Sequence, residues 1–299
     1  MKKQKKLKIQ LKIIFLIETF FIIGASKPGW AEVDYYKIEN ISSFADHLYE
    51  EEDYLRAASE YQRHLFLSSE KADQIIYKIG LCYKYAGKSR KAIEWFGKIT
   101  REYPKSNLLF SAYYQNGYSY LLMEQPKSAI IKIKEGLDKA KGLDKKRFQH
   151  LIGLSYLKEK RWNEAYSLFD SLSTTENENL RESSLRLKGY TEEGRTFSYK
   201  SPVLAGLLSA IVPGTGKMYC GRTKDGLYSL ILIGTASWSA YNGFKKDGGD
   251  SLKGWIWGIW GGVLYAGNVY GSTIAARVYN QRIEDELFTK IQFEIDLLK

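Results

Sequence analysis

The residues able to do chemistry are few and scattered. His47, His64 and His150 lie far apart, and no HExxH, GxSxG or CxxC string occurs. A zinc hydrolase would need two imidazoles on one helix face, and an acyl hydrolase a serine on a sharp strand-to-helix turn. Cys82 and Cys220 have no spacing signature and read as free thiols. The run EEED at 50–53 could crowd carboxylates around a cation, but it falls in a turn and reads as a solvated surface. The GTGK string at 214–217 suggests a phosphate cradle. A P-loop, however, needs glycine where Ile211 stands and serine or threonine where Met218 stands. The dinucleotide glycine pattern fails as well, with Tyr219 in its third glycine position. The sequence therefore predicts no catalytic residue, no metal ligand set, no cofactor and no enzyme activity.

Function must then come from shape, and the elements that would supply the shape repeat themselves. A small residue recurs at Ala45, Gly80, Gly117 and Gly153. Three residues on stand Leu48, Tyr83, Tyr120 and Tyr156; twelve on stand Ala57, Ala92, Ala129 and Ala165; sixteen on stand Tyr61, Phe96, Ile133 and Phe169. The anchors are 35, 37 and 36 residues apart, a helix-pair period. The small residue and the alanine let two helices approach closely. The bulky residue is expected to fill the gap to the next pair, because one pair cannot bury its apolar face alone. The pattern resembles the tetratricopeptide repeat, whose closing proline is matched by Pro104, 24 residues after Gly80. The resemblance covers about half the chain, residues 39–192. Gly189 continues the phase in a lone, charged helix expected to cap the stack.

In such repeats the first helices line a concave groove. Carried over by position, the partner-binding residues are Asp46 and Tyr49; Gln74, Tyr77, Leu81 and Lys84; Tyr114, Tyr118 and Leu121; and Arg147, His150 and Leu154. Tyrosines with a few basic groups suit a protein or peptide partner. Nucleic acid is not favoured. Of the formal net charge of +11, residues 1–31 hold +6, which leaves +5 for the remainder.

The ends of the chain have different compositions. Residues 1–12 contain six lysines, and 13–25 are apolar apart from Glu18 and Thr19. This reads as a secretory signal over 1–31, with cleavage after Ala25 or Ala31, and predicts export. After a polar linker at 193–201 the composition changes at Pro202. Three uncharged stretches follow, at 203–212, 226–243 and 254–276. The last two are expected to form a transmembrane hairpin with 244–253 as its tip. Gly254, Gly258, Gly262 and Ala266 would form its close-packing row, and Asn268 would hydrogen-bond the neighbouring helix. Between the first two stretches, Pro213, Gly214, Gly216, Tyr219, Gly221 and Arg222 form a turn. Together with Ser209 and Gly226, and with the later Tyr265, Gly267, Asn268, Tyr270, Tyr279 and Asn280, they resemble a bacterial membrane domain usually of unknown function, covering 201–281. Members often carry glutamine where Lys217 stands. Finally, Ile283, Leu287, Ile291 and Ile295 form an apolar stripe in 282–299, expected to lie on a membrane surface or against the repeats.

The expected fold is all-α: a TPR-like α-solenoid of about four helix pairs plus a capping helix, followed by a helical transmembrane hairpin. The expected function is a membrane-anchored scaffold of the bacterial envelope that binds a protein or peptide, for example in envelope-protein assembly or insertion. Its repeats would be periplasmic, with the inner membrane favoured over the outer. The alternative is a hairpin that forms homo-oligomers within a transport or translocation assembly, with the repeats as docking arm. Membrane lipid is a partner in both.

Overall fold

The structure is a computed structural model that describes residues 37–298. The expected signal at 1–31 lies outside them. All regular structure among the described residues is helical. The chain divides into two compact units, one ending at Ala112 and the other beginning at Tyr113.

The first unit stacks two helix pairs, α1 (Ile38–Glu50) with α2 (Tyr54–Leu67) and α3 (Ala72–Tyr85) with α4 (Ser89–Glu102). The boundary falls inside α5 (Leu109–Leu122). The second unit continues with α6 (Pro126–Leu137), α7 (Gly142–Lys158), α8 (Trp162–Leu172) and α9 (Glu178–Arg195). It then adds α10 (Pro202–Ile211), α11 (Thr215–Tyr219), α12 (Thr223–Asp247) and α13 (Leu252–Asp296), with a 3-10 turn at Gly248–Asp250.

The repeat phase has a direct physical cause. A Cβ on Gly80 would stand 2.6 Å from the Phe96 ring, and one on Gly153 would stand 2.6 Å from the Phe169 ring. A Cβ on Gly117 would run into Ile133. The bulky residue at sixteen therefore sits on the small anchor of its own pair. It also reaches toward the next pair, as the spacing suggested: Tyr61 shares a core cluster with Ile75, Ile79 and Cys82, and Phe96 one with Ala112.

The turns inside the pairs share one geometry. The residue seven past each anchor has positive φ: Glu52 (61°), Gly87 (70°), Glu124 (56°) and Lys160 (56°). The next N–H then donates back to the carbonyl three past the anchor, Asp53 to Leu48, Lys88 to Tyr83, Gln125 to Tyr120 and Arg161 to Tyr156, at 2.8 to 3.0 Å. This is the Schellman ending, which satisfies the last carbonyls of the first helix and sets the angle of the second. Asp53 of the acidic run also accepts from Arg56 N at 3.4 Å, so it caps α2.

In the tail, α12 and α13 form the expected hairpin, but no described helix is long and apolar enough to cross a membrane. The expected transmembrane span is corrected accordingly. Glycine, serine, tyrosine and asparagine replace too many aliphatic side chains along both arms.

The expected packing row is also corrected. In the hairpin part of α13 the buried residues are Gly254, Gly261, Asn268, Ser272, Ala275 and Ala276, among which Gly254, Gly261, Asn268 and Ala275 are spaced by seven, whereas Gly258, Gly262 and Ala266 are exposed. Seven residues of α-helix return to within about 20° of the same face, while each step of four drifts about 40°. Over the whole arm a row of fours starting at Gly254 therefore winds off the contact that a row of sevens keeps, while a short row such as Asn268, Ser272 and Ala276 stays on it. The buried residues of α12 follow the same spacing, at Gly226, Ile233 and Ala240 and at Ala236 and Gly243.

The third difference is continuity. Residues 282–299 are not a separate element. α13 runs unbroken from the hairpin tip to Asp296.

Candidate functional site

The turn-motif residues are structural. Gly214 has φ of 90°, and a Cβ there would run into the Gly226 carbonyl. A Cβ on Gly216 would strike the Ala205 carbonyl. Gly221 is also left-handed, at 79°, and Pro213 follows the end of α10. Gly216 N and Ser272 Oγ meet Ser209 Oγ at 2.9 and 2.7 Å, and Asn268 Nδ2 donates to Ser209 O at 3.4 Å. Asn268 thus bonds α10, as a polar residue within an apolar helix should. Tyr219 accepts from Ser201 N at 3.3 Å, Tyr265 donates to Ala210 O at 2.6 Å, and Arg222 pairs with Asp225 at 2.6 Å. Asn280 clasps both backbone groups of Lys200, at 2.7 and 2.9 Å, so the end of the expected linker is held on α13. Ser209, Ser272, Asn268 and Tyr265 thus hold α10 to α11 and α13, Asn280 and Tyr219 fix the linker, and Arg222 closes the first turn of α12.

The groove positions divide between the units. In the first, Asp46, Tyr49, Tyr77 and Leu81 are half-buried, Gln74 is exposed and Lys84 is buried. Asp46 accepts from the Tyr61 hydroxyl and pairs with Lys78. Tyr49 packs edge-on against Tyr54 and Tyr85, with centroids at 5.5 and 6.1 Å, and burial raises its phenol above the usual range. Lys84 stacks over Tyr85 at 4.3 Å, and Tyr77 leans on Phe96 at 5.5 Å. These rings hold the pairs together with one side of each still reachable.

In the second unit, Tyr118, Leu121, His150 and Leu154 are buried, Tyr114 is half-buried and Arg147 is exposed. The cover over Tyr118 is the chain's own α13. Tyr118 donates to Ile295 O at 3.1 Å, and Leu287, Ile291 and Ile295 are all 0% exposed. Glu294, itself buried, accepts from Arg186 at 2.8 and 3.2 Å and from Ser183 at 3.4 Å. Ser183 also contacts His150 Nε2 at 3.0 Å. Burial, with Arg186 nearby, lowers the His150 imidazole to about 4, so it is neutral near pH 7. Farther back along α13, Phe288 meets the Trp162 ring, Lys290 pairs with Glu193 at 2.9 Å, and Glu284 takes Lys160 and Tyr199, both at 2.8 Å. Burying three aliphatic side chains contributes roughly 5–9 kcal/mol before ordering costs. Of the two placements open to the apolar stripe, the structure takes the one against the repeats.

Beyond Ile295 lies a cavity of about 200 Å³, lined among others by Tyr114, Arg147, His150, Asn179, Ser183 and Leu298. The sequence pattern points to Tyr114, Arg147 and His150 but misses Ser183, Arg186 and Glu294. Only the stripe of α13 signalled that a helix docks somewhere.

Residues 74–106 match the family model of the tetratricopeptide repeat. The second helix pair is therefore a tetratricopeptide repeat, and the other pairs share its anchor phase and turn. No curated protein matches the chain. Tetratricopeptide repeats act as protein-interaction scaffolds, and this chain carries the helix pairs to be one.

Proposed function

We propose that this protein is a non-enzymatic scaffold of the bacterial envelope that binds a protein or peptide through its first two repeats and is held to lipid by its hairpin. The observation that carries the binding half is the half-buried face of Asp46, Tyr49, Tyr77 and Leu81 with the exposed Gln74, on helix pairs that include the matched repeat. Fixed tyrosine rings present apolar area and a hydroxyl at little entropic cost. The lipid half is supported by the outer side of α10, α12 and α13. Val203, Ile211, Ile231, Trp238, Ile259 and Trp260 are exposed there, from 54% to 79%, and neither 227–241 nor 254–276 contains a charge. The face would lie in the bilayer without the arms crossing it. The basic, apolar start of the chain supports export, which would leave the repeats on the periplasmic side, with the inner membrane favoured.

A second reading, in which the hairpin forms homo-oligomers in a transport or translocation assembly, is supported by the exposed Gly258, Gly262 and Ala266. Crosslinking in cells separates the two. A photoreactive residue at Gln74 should give an adduct with another protein that Tyr49→Ala with Tyr77→Ala abolishes. One at Gly262 should give none. Adducts only at Gly262, with the mass of a second copy, would reject the scaffold in favour of the oligomer.

A further inference from the structure

α13 is one helix with two surroundings. Up to Ala276 its buried face meets α10 and α12. From Glu284 onward it meets α5, α8 and α9, and its end covers Tyr118, a position where the repeat pattern places an external ligand. The seated segment has the form of a ligand. It buries aliphatic side chains at Leu287, Ile291 and Ile295, one every four residues, and a carboxylate at Glu294 between them. Besides the Tyr118 hydroxyl on Ile295 O, its other ties are the Phe288 ring against Trp162, the Tyr199 hydroxyl on Glu284, and the partly exposed ion pairs of Lys290 with Glu193 and Lys160 with Glu284, which water competes for. The seat extends past it into the cavity of about 200 Å³. There Arg147 makes no ion pair with any described residue.

We infer that residues 284–298 are a built-in, displaceable occupant of a second helix-binding groove. The external partner of this groove is an amphipathic helix of the same chemistry: aliphatic residues at its first, fifth and ninth positions, a carboxylate at the eighth to meet Arg186, and a further acid beyond the last turn to meet Arg147. This is recognition of a helix by a groove, with specificity set by one buried ion pair. It rests on the scaffold reading only in taking the repeats as a protein-binding surface. The site differs from that of the first two repeats.

A fluorescent peptide of residues 281–298 tests it on the full chain by anisotropy. Wild type should bind weakly, because the groove is occupied. Leu287→Ala with Ile291→Ala in the chain should loosen the occupant and strengthen peptide binding about tenfold or more, since apparent affinity scales with the open fraction. Adding Arg186→Glu should abolish the gain, and a peptide carrying Glu294→Arg should restore it. Tyr49→Ala with Tyr77→Ala should leave peptide binding unchanged, so failure of the first site is read separately. Equal, absent binding in wild type and the loosened chain, both folded by circular dichroism, overturns the inference. If the loosened chain does not fold, hydrogen exchange of wild type and Glu294→Gln decides. Exchange at 287–296 faster than in α7, and faster again in Glu294→Gln, supports displacement. Exchange as slow as α7 in both makes the segment permanent core and overturns it.

Discussion

At the residue scale, the repeat places one backbone demand at the same point four times. The residue seven past the anchor must be left-handed, yet only the second repeat supplies glycine there. Glu52, Glu124 and Lys160 hold that conformation against Cβ–carbonyl crowding. Glu124 and Lys160 also form ion pairs, with Lys158 and Glu284. Glu52 is exposed and forms no ion pair with another described residue, so it isolates the backbone effect. Glu52→Gly should stabilise the first unit by about 0.5–1 kcal/mol, the relief of the left-handed strain less the added freedom of the unfolded chain. Thermal melting checks this, and an unchanged or lower Tm would show that the turn is not strained. The position is hard to find in the sequence, because three different residue types occupy it. The anchor and its bulky partner were legible because sterics there admit only small against large.

At the element scale, the tail shows how a correct pattern can be assigned to the wrong face. Glycines four apart are conspicuous along α13, but the two that are buried, Gly254 and Gly261, are seven apart. A Cβ on Gly261 would stand 3.4 Å from Ala236 Cβ, whereas one on Gly262 would meet nothing within 4 Å. Gly261→Val should therefore force α12 and α13 apart and cost about 1–3 kcal/mol. Gly262→Val should be neutral or slightly stabilising, as valine is the better helix former. Urea unfolding followed by tryptophan fluorescence compares the two. Equal losses would reject the row of sevens. The hairpin itself and the glycine turn after Pro213 were readable, since left-handed geometry leaves local marks.

At the scale of the whole molecule, the second unit joins a repeat stack to an apolar hairpin through one continuous helix. The exposed uncharged face is far larger than scattered surface residues would give, and lipid is the proposed cover. Full-length protein should float with vesicles of phosphatidylethanolamine and phosphatidylglycerol. Ile231→Ser, Trp238→Ser and Ile259→Ser together should reduce the floating fraction several-fold without loss of helicity. These residues are exposed, so the fold does not depend on them. Flotation unaffected by the triple change would remove lipid as the cover.

The sequence by itself determined the helix pairs, their phase, the lone helix after them and the change of composition at Pro202. All of these are local: they follow from side-chain size, helical period and turn chemistry within some forty residues. Only the tertiary structure decided where the stripe Leu287, Ile291 and Ile295 is buried, that Glu294 meets Arg186 across 108 residues of sequence, and hence which groove positions a partner can reach. An apolar stripe states that a helix must be covered. It does not say by what, because burial lowers free energy in much the same way against lipid or against another helix.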